Sequence, residues 1–191
     1  MKKLIALAVA FIAVGAQTAS ADPLMKYTYF DAAYQWTKDV ENGGDGANGL
    51  DTKISYTPIE NFALEGGYNY SEIDLLDANQ DLFNYGVAGW YSFCDGIDIV
   101  ARVGGLHREV DTDVGGFSDD GVYAGGGLRT LLTDQIEGNF DVTYRYIDGE
   151  NDWTYALTGL AALTDSLAFK AAVSMDDDSV LALTGGIRLA M

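Results

Sequence analysis

The sequence predicts an all-β chain: a transmembrane, antiparallel, up-and-down β-barrel of about ten strands behind a cleavable signal peptide. Three observations predict it. Apolar and polar residues alternate with period two along most of the chain beyond residue 25, and no segment shows helical spacing. The alternating segments approach the ~9–11 residues that a tilted strand needs to cross a bilayer. Short connections alternate with longer or more acidic ones, which is the layout of a barrel that keeps its turns on one side and its loops on the other.

The first element is the targeting signal. Lys2 and Lys3 form a positive start, residues 4–16 are an unbroken apolar run, and Ala19-Ser20-Ala21 offers small residues at a cleavage site. The run is short for a membrane span. This divides the chain into residues 1–21, the signal peptide, and residues 22–191, the barrel domain.

Ten segments follow, at 26–38, 49–57, 62–73, 81–93, 97–108, 121–132, 135–147, 152–163, 167–175 and 179–190. In the first, Phe30, Ala32, Tyr34 and Trp36 oppose Asp31, Ala33, Gln35 and Thr37. In the second, Leu50, Ile54 and Tyr56 oppose Asp51, Lys53 and Ser55. The third and fourth set Leu64, Tyr68 and Tyr70 and then Phe83, Tyr85 and Val87 against polar neighbours, with Leu82 and Trp90 on the second face. Ile97, Ile99, Ala101 and Val103 oppose Asp98 and Arg102; Val122, Ala124 and Leu128 oppose Arg129. The seventh is the clearest: Phe140, Val142, Tyr144 and Tyr146 alternate with Asn139, Asp141, Thr143 and Arg145. The last three place Trp153, Tyr155 and Leu157, then Leu167, Phe169 and Val173, then Leu181, Leu183, Ile187 and Leu189 on one face. An even number of strands brings both termini to the short-turn side.

A soluble β-sandwich would also alternate. Aromatics near segment ends argue for the barrel: Trp36, Tyr70, Tyr146 and Trp153 toward the loops, Tyr56, Phe62 and Phe93 toward the turns, as interfacial girdles require. Composition excludes other classes. The chain has 29 acidic and 11 basic side chains and a net charge of -18, a poor match for nucleic-acid phosphates. A hydrophobic fraction of 48% excludes disorder, and one Cys and one His exclude a disulfide scaffold and a His-rich metal centre.

With the signal peptide, the ten segments and the C-terminal pattern Leu181-x-Leu183-x-Gly185-x-Ile187-x-Leu189-x-Met191 in view, the chain resembles the small outer-membrane β-barrel proteins of Gram-negative envelopes, the OmpA/OmpX-like and opacity-type group. Members usually end on an aromatic; this chain ends on Met191. The resemblance implies location in the cell outer membrane, assembly by the barrel assembly machinery, and outer-membrane lipid and lipopolysaccharide as surroundings, with a monomer expected. Eight strands, the commoner number in the group, is the alternative count.

Turning the polar faces inward collects six cations (Lys53, Arg102, Arg129, Arg145, Lys170, Arg188) and five anions (Asp31, Glu65, Asp98, Glu137, Asp141) in the lumen. Buried charges persist when paired and hydrogen-bonded. A narrow barrel is largely filled by such side chains. The expectation is a lumen plugged by salt bridges, against a narrow hydrated pore lined by the same groups. The glycine runs at 104–105, 125–127 and 185–186 lie within strands, so they serve curvature and make room for large lumen side chains such as Tyr123 and Trp90, not a nucleotide loop.

Most of the acids fall in the connections at 39–48, 74–80, 109–120, 148–151 and 176–178. A solvated surface accounts for them. Divalent-cation binding, bridging to lipopolysaccharide phosphates, is the functional alternative, with Asp176, Asp177 and Asp178 as weak candidates, since no EF-hand spacing is present. No cofactor is expected. His107, with Ser118 and Asp119 in the same connection, is the only conceivable hydrolase constellation, and no motif surrounds Ser118. Cys94 reads as an incidental free thiol. The functional expectation is therefore a non-enzymatic barrel with a structural or surface-interaction role; the alternatives are a narrow cation-preferring diffusion porin and a rim hydrolase using His107.

Overall fold

The computed structural model describes residues 24–39, 46–73, 78–112 and 115–191. Residues 1–21, expected to be a signal peptide, lie outside the described residues, as do Glu41, Asp45, Asp74, Asp77 and Asp113 and the side chain of Asp39. Ten strands are present: β1 (Tyr29–Asp39), β2 (Ala47–Ile59), β3 (Phe62–Ile73), β4 (Ala78–Cys94), β5 (Ile97–Thr112), β6 (Gly115–Thr133), β7 (Ile136–Ile147), β8 (Glu150–Ala162), β9 (Leu167–Asp176) and β10 (Val180–Ala190). Each pairs antiparallel with its sequence neighbour, and β1 pairs with β10 to close the ring. The seam runs from Tyr29 opposite Ala190 to Asp39 opposite Val180 without a break in register. Ten strands, not eight, complete the barrel.

Period two sets the two faces. On β9, Ala168 and Lys170 are buried while Phe169 and Ala171 are exposed. The outward row is apolar and aromatic: Tyr34, Leu64, Tyr85, Val103, Leu128 and Leu157 are all exposed. Exposed apolar surface in a band around a closed barrel is the arrangement that hydrocarbon solvates. Trp36, Tyr146 and Trp153 lie outward toward the loop end, and Tyr56 and Phe93 outward toward the turn end. Leu82 and Trp90, out of phase in sequence, are in phase in space: both point inward.

The connection 109–120 is not a loop. β5 continues to Thr112 and β6 starts at Gly115, with Val110 opposite Phe117 and Thr112 opposite Gly115. The acids there obscured the strand period because both faces meet water above the membrane, so neither has to be apolar. The apolar Val110–Phe117 pair and an Arg108–Asp119 ion pair of 2.9 Å hold the hairpin instead. The connection at 148–151 also shortens. Asp148 and Gly149 both have positive φ, 49° and 86°, and form a two-residue turn between Ile147 and Glu150. Asp-Gly is the dipeptide such a turn favours, because both central residues must enter the left-handed region.

Lumen size is set by small residues facing large ones. Gly86 and Gly104 are opposite each other on β4 and β5. A Cβ on Gly86 would sit 2.5 Å from the Tyr123 hydroxyl, and one on Gly104 would sit 2.6 Å from its ring. The Tyr123 side chain occupies the space that these two positions leave.

Two substitutions test this architecture. Gly104→Val is expected to destabilise the barrel by about 1–3 kcal/mol in urea unfolding in lipid bilayers, through overpacking against Tyr123. Leu128→Arg, on the outward face, is expected to cost about 2–4 kcal/mol, and Phe93→Arg, beside a turn, about 0–1 kcal/mol; equal costs would contradict the membrane placement.

Candidate functional site: the lumen

The lumen is built from one inward residue in two on each strand, so its chemistry is a set of rings. The best-connected group lies toward the turn end. Asp31, 1% exposed, accepts hydrogen bonds from Arg188 Nε at 2.8 Å, Arg188 Nη2 at 2.9 Å and Lys170 Nζ at 3.1 Å. Arg188 thus grips the carboxylate with two donors, the strongest form of this contact. Its guanidinium also lies 3.8 Å from the centre of the Tyr29 ring. Glu137, with no exposed surface, accepts from Arg129 Nε and Nη2, each at 3.0 Å, and from Asn139 Nδ2 at 2.9 Å. Arg188 Nη1 lies 3.9 Å from Glu137 and links the two groups.

Higher in the bore, Glu65 meets Lys53 at 3.0 Å and Arg102 Nε at 3.4 Å, and Arg102 also pairs with Asp141. Arg145 pairs with Asp152 and donates to Thr154 Oγ1 at 2.7 Å. Ten of the eleven lumen residues named from the sequence therefore sit in ion pairs. Asp98 does not: its carboxylate accepts from the Tyr27 hydroxyl at 2.9 Å and the Ser92 hydroxyl at 2.7 Å.

Further partners came only with the fold. Asp51 lies 3.6 Å from Lys170; by alternation it already belonged to the inward face. Arg108, Asp119 and Asp152 fell in or beside predicted loops, where the period could not assign a face. Tyr27 fell within the first predicted segment, 26–38, but β1 begins only at Tyr29, so Tyr27 lies before the strand and its partners could not be read from strand pairing.

Two spaces in the interior share part of their lining. A cavity of about 310 Å³ is lined by the charged residues from Asp31 and Lys170 up to Arg145, together with Tyr29 and Tyr123. A mouth of about 610 Å³, lined by Arg108, Glu150, Asp152, Asp176 and Asp178 among others, shares Leu82 and Arg145 with it. The turn end is filled instead by two apolar clusters: Tyr27, Ala63, Ala88 and Val100 with Trp90, and Leu24, Leu160 and Ala168 with Leu131 and Ala162.

The other sequence candidates are not drawn together. His107 points outward, and its Nδ1 lies 2.9 Å from Asp120. Ser118 sits across from Glu109, and neither His107 nor Ser118 lines the lumen spaces. Register thus sets His107 against Asp120 and Ser118 against Glu109, on the outer side of the β5–β6 extension. Asp176 serves its own turn, accepting from the Val180 amide at 2.7 Å, and Asp177 reaches β8, accepting from the Trp153 amide at 3.2 Å. Among the described residues no three His, Cys, Asp or Glu side chains converge as a metal site. Cys94 is an exposed free thiol at the turn end.

A closed ten-stranded barrel with an apolar outside and a charged inside is a protein of the bacterial outer membrane. Residues 4–163 match the model of the family "outer membrane protein beta-barrel domain", and the chain belongs to that family. The fold is similar to a NanC porin structure, with a TM-score of 0.58 and 9% identity over 85% of this chain and 100% of that one. It is similar also to KdgM porin in complex with disordered oligogalacturonate, with a TM-score of 0.51 and 12% identity over 86% of this chain and 99% of that one. No curated protein sequence matches the chain.

Removing one acid strands the cations around it. Asp31→Ala and Glu137→Ala are each expected to lower stability by about 3–5 kcal/mol in urea unfolding, since each leaves buried charges uncompensated. His107→Ala is expected to change it by less than about 0.5 kcal/mol.

Proposed function

We propose that this protein is a closed, non-conducting barrel of the outer membrane, exported by cleavage after Ala21, whose role is structural and exercised at the cell surface. The observation that carries this reading is the complete burial of Glu137 and the near-complete burial of Asp31. Two carboxylates facing a polar bore near its turn end are cut off from water there by the groups that fill it. Above them the interior opens toward the outside as a blind, acid-mouthed pocket. Outer-membrane lipid and lipopolysaccharide are the surroundings this reading assigns, with the barrel acting as a monomer assembled by the barrel assembly machinery and with no chemistry of its own.

One observation favours a second reading. The 310 Å³ cavity and the 610 Å³ mouth share Leu82 and Arg145 in their walls, so a path from the mouth runs toward the turn end, as a narrow porin requires. The acidic mouth would then favour cations.

Conductance separates the two. The mature chain in planar bilayers is expected to be silent; steady cation-selective steps would establish the porin instead. The pocket has its own test. In a Cys94→Ser background, Thr143→Cys is expected to react on intact cells with a small cationic thiol reagent several-fold faster than with its anionic counterpart at low salt, because the carboxylates at the mouth attract the first and repel the second.

A further inference from the structure

The five residues before β1 cross the lumen. Leu24 is buried against Leu160 of β8 and Ala168 of β9. The Met25 amide donates to Glu137 of β7 at 2.5 Å. The Lys26 carbonyl accepts from Arg129 of β6 at 3.1 Å. Tyr27 stacks on Trp90 of β4 with ring centres 3.7 Å apart and planes within 7°. The Arg129 guanidinium lies 4.2 Å from the centre of the same ring, and the Tyr27 hydroxyl donates to Asp98 of β5. The Tyr27 carbonyl accepts from Ser55 of β2 at 2.6 Å, and Thr28 Oγ1 accepts from the Thr57 amide at 3.1 Å.

These partners lie on seven strands. In a ring of ten, β6 and β7 stand across the bore from β1, where the segment is tethered. A segment fixed to one wall and bonded to the opposite one occupies the cross-section between them. The wall charges reach less far. Arg129–Glu137, Lys53–Glu65 and Arg188–Asp31 each join adjacent strands, Arg102 reaches two strands away in either direction, and the longest pairs, Arg188–Glu137 at 3.9 Å and Lys170–Asp51 at 3.6 Å, reach three. They narrow the bore, whereas residues 24–28 run from one wall to the opposite one.

The segment is also separable from the barrel. β1 begins at Tyr29 and its pairing with β2 and β10 starts there; the segment adds one backbone bond to the seam, at its last residue, where the Thr28 carbonyl accepts from the Met191 amide at 3.0 Å. The two acids that hold it keep other partners: Glu137 retains Arg129 and Asn139, and Asp98 retains Ser92. The barrel can close without it.

We propose that Leu24–Thr28 is a tethered stopper, so that the same barrel is closed with the segment seated and ion-conducting with it withdrawn. Tyr27 is its anchor, held between an indole face and a guanidinium and hydrogen-bonded at its tip. The proposal rests on the closed-lumen reading above and says which part of the molecule closes it.

The test compares three mature chains in planar bilayers: the natural sequence, a chain lacking residues 24–27, and a full-length Leu24→Ala/Tyr27→Ala chain that keeps the segment but removes its two buried side chains. Each is first shown to be folded by heat-modifiable migration. The natural chain is expected to be silent, the deletion to give steady unitary steps, and the double variant to flicker. A synthetic peptide of residues 22–28 added on the turn side of the deletion variant is expected to block its current, and a scrambled peptide to leave it unchanged. A natural chain with the same steps as the deletion would overturn the closed-lumen reading and the stopper together. A silent natural chain with a silent, folded deletion or double variant would overturn the stopper alone.

Discussion

Hydrocarbon offers no hydrogen bonds to a peptide group, and the rest of this structure follows from that constraint. Each backbone N–H and C=O at membrane depth needs a partner in the chain, and for strands the general solution is a ring without edges. The β1–β10 seam provides it. Tyr29 opposite Ala190 and Asp39 opposite Val180 bound an unbroken run of rungs between the two ends of the chain. Closure then forces half of the residues inward. The charges of the polar faces, which an open sheet would turn to water, become neighbours in a confined space.

Confinement explains the pairing. A single buried charge is costly, and an acid held by two or three donors is tolerable. Asp31 and Glu137 each meet two cations, directly or at the edge of range. Arg188 touches both, so the β10–β1 side and the β6–β7 side of the lumen share one guanidinium. Glycines opposite Tyr123 and alanines such as Ala63, Ala88 and Ala168 near the turns complete the fit, because the bore cannot hold a large side chain from every strand at one height.

The sequence was most legible where the environment on the two sides of a strand differs most. Within the membrane, Phe140, Val142 and Tyr144 face lipid while Asn139, Asp141 and Thr143 face the lumen, and the period reads directly. Above the membrane both sides are wet. There Glu109, Asp111, Ser118 and Asp120 read as a loop although β5 and β6 continue through them. The same loss of contrast left Arg108, Asp119 and Asp152 unassigned and made His107 and Ser118 look like neighbours in a loop, when pairing sets His107 against Asp120 and Ser118 against Glu109. Leu82 and Trp90 broke the apolar pattern of β4 for a different reason: the lumen is not wholly polar, and its turn end takes large apolar groups.

Alone, the order of residues determined that this chain reads as a membrane barrel, where its strands run within the bilayer, and which face most side chains there take, because period two is a local property that needs no knowledge of the partner strand. It could not determine who meets whom across the lumen. The link from Arg188 to Glu137, the bridge from Arg102 to both Glu65 and Asp141, and the seat of Tyr27 between Trp90 and Arg129 join residues far apart in the chain. Those distances exist only after register and closure are set. Leu24–Thr28 shows the limit most plainly: residues 26–28 read as the start of the first strand, yet β1 begins at Tyr29 and the five residues take their partners from the ring of strands that surrounds them.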